Sequence, residues 1–232
     1  RNHNVRLSFQ TGYRNPTTQD LFIGFDVGRA RLIGSAPDNP ARYVRDYSVS
    51  AAGQALGFPA TVTLTGENAF NNSFSASSVI AMAATGNPGL LQASGVEYVK
   101  AEQMQSVEFG WRAKLSNTFT IDANIYKNAY QDFISTQVVI SPYYGQVGDN
   151  GLSILAIANS DFETYSAYTN ADAEVESWGA TVGIRTKIFK DYDLSANYTK
   201  SVLEFDQEAY PDFATNWNTP EDKWKVQFGN TN

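Results

Sequence analysis

Seven carboxylates and no Lys or Arg lie between Lys127 and Arg185: Asp132, Asp149, Asp161, Glu163, Asp172, Glu174 and Glu176. Tyr130, Tyr143, Tyr144, Phe162, Tyr165 and Tyr168 share the interval. Carboxylates beside aromatic rings can stack on and hydrogen-bond a sugar, or hold a cationic peptide. Tyr143, Tyr144, Asp149, Phe162, Tyr165 and Tyr168 are therefore candidate ligand contacts, against the plainer reading of a solvated outer loop kept soluble by its acids. Asp149 and Asn150 beside Gly151 suggest calcium, but the ordered ligand spacing of a calcium loop is missing, so no metal site is expected. Glu174 and Glu176 share one strand face and have the types for acid–base work. In a chain with this many acids on loops, coincidence explains that pair better. With one histidine (His3), no cysteine and no Gly-x-Ser-x-Gly elbow, nucleophilic triads lack their parts. The run Gly145–Gly151 has neither a following Lys-Ser/Thr nor a helix signal, so it is not a phosphate loop. A formal net charge of −7 disfavours nucleic acid, whose backbone wants clustered Lys and Arg. Neither enzymatic activity nor a cofactor is expected.

The elements that must position these residues are strands. In Ser106–Leu115, Val107, Phe109, Trp111, Ala113 and Leu115 alternate with Ser106, Glu108, Gly110, Arg112 and Lys114. Strict alternation makes a strand with one apolar and one polar face. The pattern returns in Val5–Arg14, Phe119–Tyr126, Trp178–Ile188, Tyr192–Val202 and Lys223–Phe228. Strands are accordingly expected near 5–14, 103–115, 119–134, 174–188, 192–204 and 222–230. The face opposite the apolar one is rich in Gly, Ser, Asn, Lys and Arg, as a hydrated lumen allows.

Two architectures bury one face and wet the other: a soluble sandwich, and a transmembrane barrel with lipid outside and a polar lumen. The connections favour the barrel. Ser116–Thr118 and the pair Lys190–Asp191 are tight hairpins, whereas the links 15–101, 135–173 and 205–220 are long. Structureless loops beyond roughly 12–15 residues are uncommon in compact domains, but outer-membrane barrels combine short periplasmic turns with long extracellular loops. The expected fold is all-β, an antiparallel transmembrane β-barrel segment of about six strands, with Val107, Phe109, Trp111, Ala180, Val182 and Ile184 facing lipid. Tyr13, Trp111, Trp178, Phe189, Tyr192 and Trp224 fall where interfacial aromatic girdles sit.

Composition agrees: 232 residues, 42% apolar and 13% aromatic. No apolar run approaches the ~18 residues of a spanning helix. No secretory signal precedes the first strand, which fits either a cytosolic protein or a stretch of a mature exported one. Single-chain barrels need at least ~8 strands, and an open edge cannot face hydrocarbon. Six strands do not close, so these residues are read as one domain, part of a larger barrel. Within the first long link, Asn15-Pro16 reads as a helix start with Pro at the first helical position, leading into Thr17–Ile23. Ser75 reads as the cap of a helix over Ala76–Ala84, ended by Gly86 and Pro88. Ala60, Val62 and Leu64 alternate with threonines as an extension of the sheet above the membrane. This link is read as a folded cap over the barrel rim, or as a lid or docking surface.

Three stretches resemble a known family. Thr11–Gly28 (TGYRNPTTQDLFIGFDVG) is similar to the passage from a barrel strand into its outer loop in TonB-dependent receptors of Bacteroidetes-type bacteria. Ala101–Ile134 resembles that family's strand pair opened by a Leu-Lys-Pro-Glu-type segment and closed by a Tyr-x-Asp-Phe-like end. Asn218–Gly229 resembles its Asn-Thr-Pro segment before a late barrel strand. Departures are Ala101-Glu102 where many relatives have Pro-Glu, and Glu221-Asp222 where a basic pair is frequent. The resemblance implies a bacterial outer-membrane receptor that actively takes up a nutrient too large for porins: an oligosaccharide, peptide or metal chelate. It also implies outer-membrane lipid around the barrel and a TonB-type energy-coupling protein acting through a plug that these residues do not include, and it leaves room for a surface lipoprotein partner. The alternatives are an outer-membrane barrel with a structural or assembly role, or a soluble carbohydrate-binding β-sandwich.

Overall fold

The computed structural model describes residues 2–188, 191–214 and 219–230. In chain order its first half holds β1 (His3–Arg14), α1 (Thr18–Phe22), β2 (Gly24–Asp26), β3 (Arg31–Ile33), β4 (Val44–Ser48), α2 (Ala51–Ala55), β5 (Thr61–Thr65), α3 (Asn68–Asn71), β6 (Phe74–Ser75) and α4 (Ala76–Thr85). The second half holds β7 (Glu102–Lys114), β8 (Phe119–Gln131), β9 (Phe133–Pro142), α5 (Leu152–Ala158), β10 (Phe162–Ala171), β11 (Val175–Ile188), β12 (Tyr192–Glu204), β13 (Phe213–Ala214) and β14 (Asp222–Asn230). No helix among the described residues is long and apolar enough to cross a membrane.

Six long strands form one antiparallel sheet in the order β1-β7-β8-β11-β12-β14. Its register sorts side chains by chemistry. Leu7, Phe109, Ile125 and Ala180 fall in one cross-strand row, and Val5, Trp111, Ala123, Val182, Tyr198 and Trp224 in another. The intervening row, on the other face, is Arg6, Gly110, Asn124, Thr181, Thr199 and Lys223. A one-residue slip would invert every strand, so this agreement across six strands specifies the register. The hairpin between β7 and β8 is closed by Ser116 Oγ, which accepts from the amides of Thr118 (3.2 Å) and Phe119 (3.0 Å). In the β11–β12 hairpin, the expected turn residue Lys190 and the girdle residue Phe189 lie outside the described residues, as does Asn218 ahead of β14.

The apolar face is the exposed one. Val107 is 50%, Phe109 46% and Val182 44% accessible, and the large side chains of β1 and β14 more so. A sandwich would have to cover this face with a second sheet; among the described residues no second sheet packs on it. The polar face is instead cross-linked. Arg6 pairs with Glu108, which also accepts from Asn124 Nδ2 at 2.6 Å. Thr181 and Thr199 hydroxyls meet at 3.2 Å. The Tyr126 ring lies across Gly179, where an added Cβ would stand 2.5 Å from it, and its hydroxyl reaches Ser201 Oγ at 3.1 Å. Glycine there is a requirement of close approach.

The hydrophobic core lies above this sheet. β8 continues into β9 and β10 leads into β11, so the two central strands extend as a hairpin pairing Ala171 with Phe133 and Phe162 with Pro142. Asp132, with φ of 52°, breaks β8 from β9, and residues 172–174 break β10 from β11. β3 adds parallel to β10, and β2 to β3; β6 and β13 share the outer edge of β9. Ile33, Ala69, Val96, Val139, Tyr165 and Ala167 pack on one part of this hairpin, and Phe74, Val79, Met82, Ile140 and Ile157 on another. The residues 135–173 expected as a long outer loop are thus a folded cap, and the strand expected over 119–134 ends at Gln131.

The smaller elements follow their capping residues. α4 starts at Ser75, whose Oγ accepts from Ser78 N, and ends at Gly86 with φ of 70°. α1 is capped by Thr17 in a reciprocal box with Asp20 (Asp20 N to Thr17 Oγ1 3.2 Å, Thr17 N to Asp20 Oδ2 2.7 Å). The helix start expected at Asn15-Pro16 therefore moves to Thr17, because Thr-x-x-Asp satisfies two end amides at once and Pro16 falls outside the helix. Thr61–Thr65 pairs with β4 in a separate two-stranded sheet rather than extending the barrel.

Candidate ligand groove

A groove of about 1000 Å³ opens where the polar face of the barrel sheet meets the cap. Its floor is the pair of strand breaks. Tyr130, Gln131 and Asp132 come from the β8–β9 break, and Asn170, Asp172 and Glu174 from the facing β10–β11 break. Asn170 braces them. Its Nδ2 donates to the carbonyls of Asp132 (2.5 Å) and Lys100 (3.1 Å), and its Oδ1 accepts from Lys100 N at 2.6 Å. Tyr130 is on the polar-face parity of β8, with its hydroxyl 3.2 Å from Ser177 Oγ, where Asn128 Nδ2 also donates at 3.0 Å. Ser77 and Gln92 line one wall, and Tyr210, Asp212 and Phe213 another.

Charge in the groove is one-sided. Glu97, Asp132, Asp172, Glu174 and Asp212 line it against a single ammonium, Lys100. Lys100 Nζ is paired with Glu97 at 2.8 Å, and that hydrogen bond holds the ammonium above its ordinary range. The groove thus offers acceptors, amides, hydroxyls and two half-buried phenol rings. That set suits a polyhydroxyl or cationic ligand and repels an anion.

The six residues expected to meet ligand lie outside this groove, in the cap, with Tyr144, Tyr165 and Tyr168 buried and Tyr143, Asp149 and Phe162 half-buried. Tyr165 is 2% exposed, and burial pushes its phenol far up. Tyr144 is buried, stacked on Phe58 at 4.0 Å; its hydroxyl donates to Asp161 Oδ2 and accepts from Asn159 Nδ2, both at 3.0 Å. Tyr168 is buried and accepts from Gln19 Nε2 at 3.0 Å. Tyr143 stacks on Tyr47 at 4.9 Å, and burial raises its phenol to about 12. Phe162 packs against the cluster around Ile140. Asp149 holds the turn before α5, accepting from the amides of Gln146 (2.8 Å) and Gly151 (2.9 Å) and from Ser153 Oγ (3.1 Å). These side chains are engaged in packing and hydrogen bonding within the cap. Residues that do line the groove, Asp132, Asp172, Glu174 and Tyr130, stood in the same acidic interval. The signal separating them was position: each sits at or next to the end of an alternating strand.

The family model described as TonB dependent receptor-like, beta-barrel matches residues 1–231. The chain belongs to the TonB-dependent receptor family. No curated protein and no solved structure is matched by it. As a TonB-dependent receptor barrel it is an outer-membrane protein of a transport family, and its six-stranded sheet is part of a β-barrel wall. Aromatic side chains of the receptor's exposed apolar face come in pairs, Tyr198–Trp224 tilted at 4.4 Å and Tyr192–Phe228 stacked at 5.2 Å. Charges on the same face are paired: Lys127 with Glu176 at 2.7 Å, and Lys200 with Glu221 at 3.1 Å and Asp222 at 3.2 Å.

Proposed function

We propose that the receptor takes up a neutral or cationic oligosaccharide too large for porins, first held in the groove between barrel wall and cap. The supporting observation is the groove's lining, five carboxylates and one paired ammonium interleaved with Tyr130 and Tyr210. Pyranose faces stack on such rings while carboxylates and amides take the hydroxyl hydrogens. Anionic metal chelates fit that electrostatic field poorly. In this reading Val107, Phe109, Trp111, Ala180, Val182 and Ile184 face outer-membrane lipid, and an energy-coupling protein acts through a plug held inside the wall.

The test uses the full-length receptor in detergent with neutral, aminated and sulfated oligosaccharides of matched length. Asp172→Asn combined with Glu174→Gln changes two exposed acids at the groove floor. Binding of neutral or aminated sugar should fall about tenfold or more in this variant, with sulfated sugar bound weakly throughout. Equal binding by parent and variant would remove the groove from the ligand path.

A further inference from the structure

The segment Phe205–Ala214 leaves the end of β12 in the barrel wall and crosses to the outer edge of β9 in the cap. It is built as a compact strap. Asp206 Oδ1 accepts from the amides of Glu208 (3.1 Å) and Ala209 (2.9 Å), and Tyr210 N donates to Asp206 O (3.1 Å). Gln207 Nε2 donates to the carbonyls of Tyr210 (3.2 Å) and Phe213 (2.9 Å). The Tyr210 ring stands between those of Phe205 and Phe213, at 6.2 and 6.4 Å. Internally bonded in this way, the strap moves as a unit and carries the two rings of the groove's outer wall.

It meets the cap along one short edge. The β13–β9 ladder has two residue pairs, Phe213 with Gln137 and Ala214 with Thr136. Ser135 Oγ donates to Ala214 O at 2.7 Å and Val138 N to Asp212 O at 2.9 Å. A further tie, among the described residues, is the Asp212 side chain. Because β6 and β13 occupy successive stretches of one edge of β9, Asp212 arrives beside the residue that opens α4. Asp212 Oδ1 accepts from Ser77 N and Oδ2 from Ser77 Oγ, both at 2.7 Å. Ser75 already caps α4 through Ser78 N, so Asp212 satisfies a further end amide of that helix. A carboxylate with both oxygens used at a helix start is the strongest single contact the strap makes.

We propose that Asp212 is the positioning residue of the ligand groove: its carboxylate on Ser77 latches the Phe205–Ala214 strap, and so holds Tyr210 and Phe213 against the space a ligand enters. Release of the latch swings both rings away and opens the groove from the outer side. This rests on the reading of the groove as the ligand site.

These residues contain no cysteine, so a thiol can be placed where the strap closes. Thr169, 3% exposed, lines the groove and becomes Thr169→Cys. Val49→Cys reports a separate core cluster of the cap, around Tyr144 and Ala156. Full-length receptor carrying either thiol is labelled on intact cells with a membrane-impermeant maleimide, in parent, Asp212→Ala and Asp212→Asn backgrounds. Asp212→Ala should speed labelling at position 169 about tenfold, the factor matching about 1.4 kcal/mol. Asp212→Asn keeps an acceptor for Ser77 N and a donor for Ser77 Oγ, so it should stay within about twofold of the parent. Labelling at position 49 should not change. Equal rates at position 169 in parent and Asp212→Ala overturn the latch. Acceleration at both positions overturns it too, since the cap as a whole would have loosened. The readout needs no sugar, so failure of the latch and failure of the groove reading are seen in separate experiments.

Discussion

Val182→Arg should cost the receptor about 2–4 kcal/mol of folding stability in lipid, and Thr181→Arg, one residue away, much less. The outward side chains of β11 run from Trp178 to Ile188. At ~3.3 Å per residue that is roughly 33 Å, or about 25 Å of height at a strand tilt near 40°, the height of an outer-membrane apolar band. Val182 sits about midway along it, flanked by Ala180 and Ile184 and paired across the sheet with Ala123 and Tyr198. Arginine costs about 2–4 kcal/mol at such a depth. Thr181 points to the polar face, where its replacement forfeits the Thr199 hydroxyl contact, roughly 0.5–1.5 kcal/mol, and leaves the new charge in water. The gap of about 0.5–3.5 kcal/mol is some 2- to 400-fold in the folding equilibrium. Urea titration of full-length receptor folding into phospholipid vesicles measures both variants against the parent. Equal costs, or the larger cost at Thr181, would refute the assignment of faces.

Gly179→Ala should destabilise the wall by about 1–3 kcal/mol in the same titration, because its Cβ would strike the Tyr126 ring; a second change, Tyr126→Ser, should recover part of the loss. Asp161→Ala should loosen the cap by about 3 kcal/mol, since it strips a buried acceptor from Ser50 N (2.7 Å), Ser50 Oγ (2.8 Å) and Tyr144 Oη (3.0 Å). Limited proteolysis near α2 should then accelerate while barrel assembly stays unchanged. Around Asp149, burial raises the carboxyl, but the amides of Gln146, Gly151 and Ser153 outweigh it and hold the group below its ordinary value. A depressed carboxyl lends stability above its unfolded pKa of about 3.9 that is lost as pH falls through the lower folded value. Amide exchange at Gly151 and Ser153, followed below pH 4, should therefore rise with acid in the parent and lose that dependence in Asp149→Asn.

The barrel strands were legible because a wall with lipid on one side and water on the other forces a two-residue period. β9 and β10 were not, although they are strands of the same molecule. Both faces of each are covered by the cap, so Ile134, Ser135, Thr136 and Gln137 are all buried in succession and no alternation survives. α4 could be read from its Ser75 cap, which acts locally, whereas for α1 the sequence reading starts at Asn15-Pro16 and passes over its Thr17 cap. α5 begins at Gly151 without a side-chain cap and left no such mark. The groove was the least readable part. Its lining comes from five stretches of chain brought together by two strand breaks and a strap, and rings that look available in sequence, such as Tyr165, are consumed by packing.

The placement of the water-insoluble packing in the cap, with β2 and β3 drawn from the start of the chain and β9, β10 and β13 from far along it, bears on biogenesis. A finished cap carries polar backbone that hydrocarbon will not admit, so it must cross the bilayer as loose chain. Its sheet can then be sewn together only after β8 and β11 have delivered their extensions to the cell surface. Wall insertion precedes cap closure, and a receptor halted between the two would display an oily, protease-sensitive crown on an already embedded wall.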